Sequence, residues 1–330
     1  MNVRNGLVAC AVMLATACGD DSASTKGAEF NPLGGSKNMM PWPSMVYAKE
    51  DGTSPTGFRL DIPIKATPMN VDGISVDPAP LNRWDGFSPS GPILAQFDSG
   101  VSAVGLPTFK DPEASLAATS PIVLLNLDTG ERAPFFAEVD QNVGDVNARA
   151  LIIRPLARLK PKSRYAVAVR TAVKAADGGA LSISPAFAAL RDGTSFDHPL
   201  MAKLTARYED IFAKLATAGV PKADLALAWD FVTASDEFLT SDLRKMRTDA
   251  LAAIGANGSN ITFNTVEQPA NGAYKHYIGT FKSPDFLTAQ ETNESIMRRD
   301  ATGAPQAQGF RDANFAAVIP NCVTTQPLPR

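Results

Sequence analysis

The chain has 330 residues, 45% of them hydrophobic and 20% charged, with 34 acidic against 31 basic side chains and only two histidines. That composition belongs to a globular protein with enough apolar residues for one large or two modest cores. A net charge of −3 and the lack of any Lys/Arg-rich run exclude the basic footprint of a nucleic-acid binder, so no nucleic acid is expected as a partner.

Residues 1–18, MNVRNGLVACAVMLATAC, carry one early cation, Arg4, then an apolar run from Leu7 to Ala17, then Cys18 after small residues. The run has the length of a signal peptide and is too short to span a bilayer as a mature helix. Its end resembles a lipoprotein lipobox, with Leu14 and Ala15 ahead of the cysteine, which implies lipid on Cys18 and a chain anchored in the cell envelope. Cleavage after Ala17 without lipid is the alternative. The polar stretch that follows, to about residue 40, reads as a flexible tether. With Cys10 removed and Cys18 lipidated, Cys322 is the odd cysteine, either buried and inert or paired with a residue beyond Arg330.

From residue 41 to 193 the chain reads as short strands punctuated by turns. Phe58, Leu60 and Ile62 alternate, and Ile93 to Phe97 and Ile122 to Leu127 are apolar runs bounded by Gly, Pro and Asp. Asp128 to Glu131 is expected to close a hairpin onto Ala133 to Val139, and Asp177-Gly178-Gly179 to close another. Between them, Tyr165, Val167, Val169, Thr171 and Val173 alternate with smaller or polar residues, which is a strand. Leu151 and Ile153 form a second strand upstream that Pro155 ends. Leu159, Lys160 and Pro161 followed by Tyr165 have the spacing of a tyrosine corner, in which proline stiffens an arch between two sheets and the phenol bonds back to upstream backbone. About seven strands precede Asp192, which suits an immunoglobulin-like β-sandwich without a disulfide.

Those residues carry a resemblance. L-K-P-x-x-x-Y-x-V-x-V resembles the corner of fibronectin type III and bacterial immunoglobulin-like domains. Continued through AVKAADGGALSISPAFAALRDG, it resembles the N-terminal region of bacterial virulence-factor lipases and related secreted α/β-hydrolase lipoproteins. LALAWDFVTAS at 225–235 and YIGTFKSPDFL at 277–287 extend the similarity over most of the chain. The resemblance implies a scaffold region that accompanies an esterase or lipase domain.

After Gly193 the period changes. Leu200, Leu204, Tyr208, Ile211, Phe212 and Leu215 form a helical stripe, with Pro199 in the first turn, Asp197 as cap and Gly219 past the end. Leu225 to Thr233 is strand-like. Ser235 is expected to cap a second helix with Leu239, Leu243, Met246, Ala250 and Ile254 on one face, stopped by Gly255. Ile261 to Val266, Ala273 to Phe281 and Phe315 to Ile319 read as strands, with a polar loop over 288–309. The fold expected is therefore mainly β, a sandwich over 41–193 followed by a mixed helix and strand segment over 194–330 that leads toward a hydrolase domain outside this chain.

The chemistry sought is that of a serine hydrolase: a G-x-S-x-G elbow, an acid and a histidine. Gly73-Ile74-Ser75 and Gly193-Thr194-Ser195 each begin such an elbow but place Asp77 and Asp197 where its second glycine belongs. Ser195 with His198 is the nearest nucleophile and base, and is more simply read as a capping segment. His276 reads as an edge or satisfied histidine. Two histidines and no cysteine pair argue against zinc. Asp20 and Asp21 belong to the tether, and Asp236 and Glu237 to a helix start. Trp42, Trp84 and Trp229 read as core aromatics, with the lining of a sugar or lipid groove as the alternative. No catalytic residue, metal site or cofactor is expected. Two functions remain: the non-catalytic front of a lipid-anchored esterase or lipase, held to the membrane through Cys18, or a self-contained envelope lipoprotein whose immunoglobulin-like domain binds a partner or acts as a spacer.

Overall fold

The computed structural model describes residues 29–34, 39–269, 272–289, 292 and 294–324. Cys10, Cys18 and all of the signal lie outside them, as does the tether apart from 29–34 and 39–40.

A strand at Arg164–Arg170, β7, is the centre of the core. Before it in the chain come β1, Ala48–Glu50, β2, Phe58–Leu60, β3, Ile93–Ala95, β4, Ile122–Asn126, β5, Phe135–Val139, and β6, Leu151–Pro155. β8 is Leu225–Val232. β7 pairs antiparallel with β4 on one side, from Ile122 opposite Val169 to Asn126 opposite Tyr165. On the other side it pairs antiparallel with β8, from Arg164 opposite Val232 to Arg170 opposite Leu225, with one register shift after Val169. Every residue of β4 and β8 is buried. Strands covered on both faces need no alternation, which is why IVLLN and LALAWDFV read as continuous apolar runs. A second sheet has β6 between β3 and β5. Here burial alternates: Ile93, Ala95, Phe135, Ala137, Val139, Leu151 and Ile153 face the core, and the residues between them do not. β1 and β2 form a separate hairpin.

The arch 156–163 carries the chain from β6 in one sheet to β7 in the other. Lys162 adopts a positive φ of 50° at its tip, and the Tyr165 hydroxyl accepts a hydrogen bond from the Lys160 N–H at 3.0 Å. The Tyr165 ring stacks on Phe231 of β8, centroids 5.9 Å apart, and Leu159 is buried beneath the arch.

Several local expectations are corrected by this topology. The Asp128 to Glu131 turn does form, with Asn126 Oδ1 accepting from the Asp128 and Thr129 N–H groups. Yet it does not make a β4–β5 hairpin, because the strands separate after Leu125 and Arg132 and β5 pairs with β6 instead. Asp177 to Gly179 turns the chain, but the return is a single bridge, Lys174 to Ala180, that leads into helix α1, Pro185–Asp192. That helix has a Ser184 cap on the Phe187 N–H, Pro185 at its start and Gly193 in the left-handed region after its end, all of which the strand reading of this stretch passed over. The chain also does not divide in its packing at residue 194. Helix α2, Met201–Thr217, and β8 lie beyond that point and complete the same core. Asp197 does not cap α2; Leu200 holds that position without a side-chain cap.

The packing changes after Ser235 instead. Helix α3, Asp236–Ile254, is followed by β9, Phe263–Gln268, β10, Tyr274–Pro284, and β11, Phe310–Pro320, which form an antiparallel sheet with β10 in the middle. From residue 236 onward the only buried residues among those described are Phe286 and Pro305. The whole is a β-rich mixture of helices and several small antiparallel sheets.

Candidate functional site

In β8, Asp230 is a carboxylate buried in an otherwise apolar strand, which is costly unless it is paired. Its oxygens receive Arg164 Nε at 2.6 Å and Arg207 Nε at 2.8 Å, and Arg164 reaches on to Asp210. The Tyr208 hydroxyl donates to the Ala228 carbonyl, and burial, with Asp230 nearby, holds its proton on well beyond the ordinary phenol range. The adjoining cavity is about 20 Å³, space for a water and not for a substrate. This network fixes α2 against β7 and β8.

Ser195 and His198 are not assembled as nucleophile and base. The His198 Nδ1 accepts from the Leu200 N–H at 3.2 Å, and its Nε2 lies 3.1 Å from the Glu29 carbonyl, so both ring nitrogens serve the backbone. Ser75 is in a surface turn whose Asn70 Oδ1 accepts from the Asp72 and Ile74 N–H groups. His276 lies in the central strand β10, opposite Gln268 and Val318, and not at an edge. Among the described residues no three His, Cys, Asp or Glu side chains are grouped to hold a metal. Cys322 is exposed, which removes the buried alternative for it. Trp229 is fully buried and donates its indole N–H to the Pro43 carbonyl at 2.8 Å, Trp42 packs edge-on to Phe87, and Trp84 lies at the surface end of this cluster beside Phe238. No helix of the described residues is long and apolar enough to cross a membrane.

The feature that stands out is the sheet β9–β10–β11. Register assigns its two faces. On one, Phe263 meets Phe315 edge to face and Phe281 lies tilted against both, with centroids 5.6–6.3 Å apart. Gly279 sits opposite Phe315 and Thr265. A Cβ there would fall 3.0 Å from the Phe315 ring and 2.1 Å from the Asn264 carbonyl, so only glycine lets that ring lie across β10. On the other face Val266, Ile278, Ala316 and Val318 are neighbours, while Phe310, opposite Pro284, is separated from them by the Asn314–Thr280 row and the Lys282–Asp312 ion pair. Val266 is 61%, Val318 59% and Phe310 55% exposed. Asn264 and Asn314 flank a shallow depression of about 720 Å³ over these side chains. A three-stranded sheet normally buries at least one face to be stable, and contiguous exposed aliphatic surface marks an interaction site.

The start of α3 is joined to the core through residues 85–87 and 232–235. Gly86 lies so close to the 233–234 backbone that a Cβ would come within 2.7 Å of the Ala234 nitrogen. Phe87 donates to Val232, Ala234 donates to Phe87, and Asp85 Oδ1 accepts from the Ser235 N–H. Ser235 in turn caps α3 through the Phe238 N–H at 3.0 Å. Further out, the Arg299 guanidinium grips the Asp242 carboxylate with two hydrogen bonds, 3.1 and 2.6 Å, and this holds the Asp242 carboxyl below the usual range. Sequence reading found the capping serine. It missed Asp85, Gly86 and Arg299, whose partners lie 57 to 150 residues away.

No family model matches the chain, and no curated protein matches it.

Proposed function

We propose that this chain is the non-catalytic N-terminal region of a lipid-anchored esterase- or lipase-like lipoprotein, and that it serves as the scaffold for an α/β-hydrolase domain. In this reading the two sheets joined by the Tyr165 arch pack as an immunoglobulin-like sandwich, Cys18 carries the lipid, and the hydrolase domain covers the open face of β9–β11. The observation that carries it is that sheet. An antiparallel sheet with Val266, Ile278 and Val318 adjacent on one face and open to water has the chemistry of a surface meant to be covered by another folded body. Turnover of p-nitrophenyl esters and incorporation of labelled palmitate should be measured on residues 19–330, on the full-length gene product and on its Cys18→Ala form. Label that disappears in Cys18→Ala, with turnover confined to the full-length product, is the expected outcome. A full-length product that ends at Arg330 and stays inert would replace this reading with that of an envelope module that binds a partner. Equal label in both forms would remove the anchor.

A further inference from the structure

A groove of about 610 Å³ opens between the short turn Leu81–Arg83, the first turns of α3 and the loop 299–305. That volume is in the range of small-molecule sites. Its apolar walls are Pro80, Trp84, Phe238 and Leu239, with the Trp84 and Phe238 rings 5.5 Å apart and tilted at 49°. Its polar groups divide sharply by whether they are already used. Asp242 is taken by Arg299, which also donates to the Gly303 carbonyl at 2.7 Å, and Lys245 is taken by Asp249 at 2.6 and 2.7 Å. The Arg83 carbonyl receives Arg59, and the Arg83 guanidinium is near enough to help lower the Asp242 carboxyl, but it makes no hydrogen bond or ion pair among the described residues, and neither does the Trp84 indole N–H. The groove therefore offers two adjacent residues with unused donors, one of them cationic. Its carboxylate, by contrast, has both oxygens engaged.

We infer that this groove is a binding site for an amphiphile with a single anionic head, a carboxylate or sulfate, whose head is taken by Arg83 and whose apolar body lies along Trp84 and Phe238. A planar guanidinium matches a two-oxygen anion better than any other side chain. The half-buried aromatic surface gives the tail somewhere to leave water. A neutral molecule of the same shape leaves the guanidinium without a hydrogen-bonded anion, and a bare anion leaves the aromatic wall wet, so both halves of the ligand are required. The inference does not depend on the scaffold reading above, because every residue it uses belongs to the described chain.

The test is calorimetric titration of the 19–330 protein with decanoate, decanol and acetate, repeated with Arg83→Gln. Saturable one-site binding of decanoate is expected, with decanol and acetate each at least about tenfold weaker and decanoate weakened at least about tenfold in Arg83→Gln, the size of loss that removing a charge-assisted hydrogen bond gives. Arg83 is exposed, so the variant should keep the wild-type melting temperature. Absence of saturable decanoate binding overturns the inference. So does decanol binding as tightly as decanoate, acetate binding as tightly as decanoate, or unchanged affinity in Arg83→Gln.

Discussion

At the scale of single residues, Tyr165 and Asp230 show how differently two buried polar groups are handled. Tyr165 has a local partner, the Lys160 N–H five positions upstream, so the pair is written into one short stretch and was legible as a corner spacing. Removing the hydroxyl leaves that N–H without its acceptor under a buried ring, and a bond of this kind is worth about 1 kcal/mol net. Tyr165→Phe should therefore lower the denaturant midpoint with the m-value unchanged; an unaltered midpoint would mean that water replaces the phenol at no cost. Asp230, by contrast, was not legible as anything but an acidic interruption in a strand. Its partners Arg164 and Arg207 come from 66 and 23 positions away, and only the fold makes them neighbours.

At the scale of elements, α3 has the pattern of an amphipathic helix and lacks its usual consequence. Leu239, Leu243, Met246, Ala250 and Ile254 do recur at helical spacing, and the Ser235 cap forms, but no residue of the helix is buried and Leu243 is 70% exposed. Periodicity reports which face could be covered; it carries no information on whether the cover is present. The Asp242–Arg299 pair ties α3 to the 299–305 loop, while the Ser235 cap and the Trp84–Phe238 contact hold its start. Because Arg299 depresses the Asp242 carboxyl, its contribution is fully present above the unfolded carboxylate value of about 3.9 and is lost as pH falls through the lower folded value. Asp242→Asn should accordingly melt below wild type at neutral pH, with the gap closing as the pH drops through that window. A gap that stays constant into strong acid would show that the pair does not act through its charge. Strand positions were read to within a few residues, whereas partners were not: β4 and β5 adjoin in sequence and part into separate sheets, since each finds a better-buried neighbour in β7 and β6.

At the scale of the molecule, apolar surface is distributed unevenly, with a dense core up to Ser235 and an open sheet beyond it. A dye that fluoresces on exposed apolar surface should therefore bind the native protein, without any unfolding. Val266→Thr combined with Val318→Thr keeps β-branching while removing methyl surface from the open face, and should lower that emission while leaving the melting temperature nearly unchanged. Undiminished emission would locate the surface elsewhere. At this same scale composition shifts from strand-like to helical near residue 194, while the core runs on through β8 without interruption.

β8 also sets a condition on how the protein can be made. It is the last strand of its sheet in the sequence, and its Trp229 indole reaches the Pro43 carbonyl across 186 residues. A growing chain therefore carries β7 with one bare edge, and Pro43 without its donor, until synthesis has passed Val232. Pairings this remote are slow to form, and an unpaired apolar edge invites other chains. Ribosome-bound or truncated products that stop before Leu225 should need a holdase to stay in solution, whereas those that stop just after Ser235 already contain everything the core is built from.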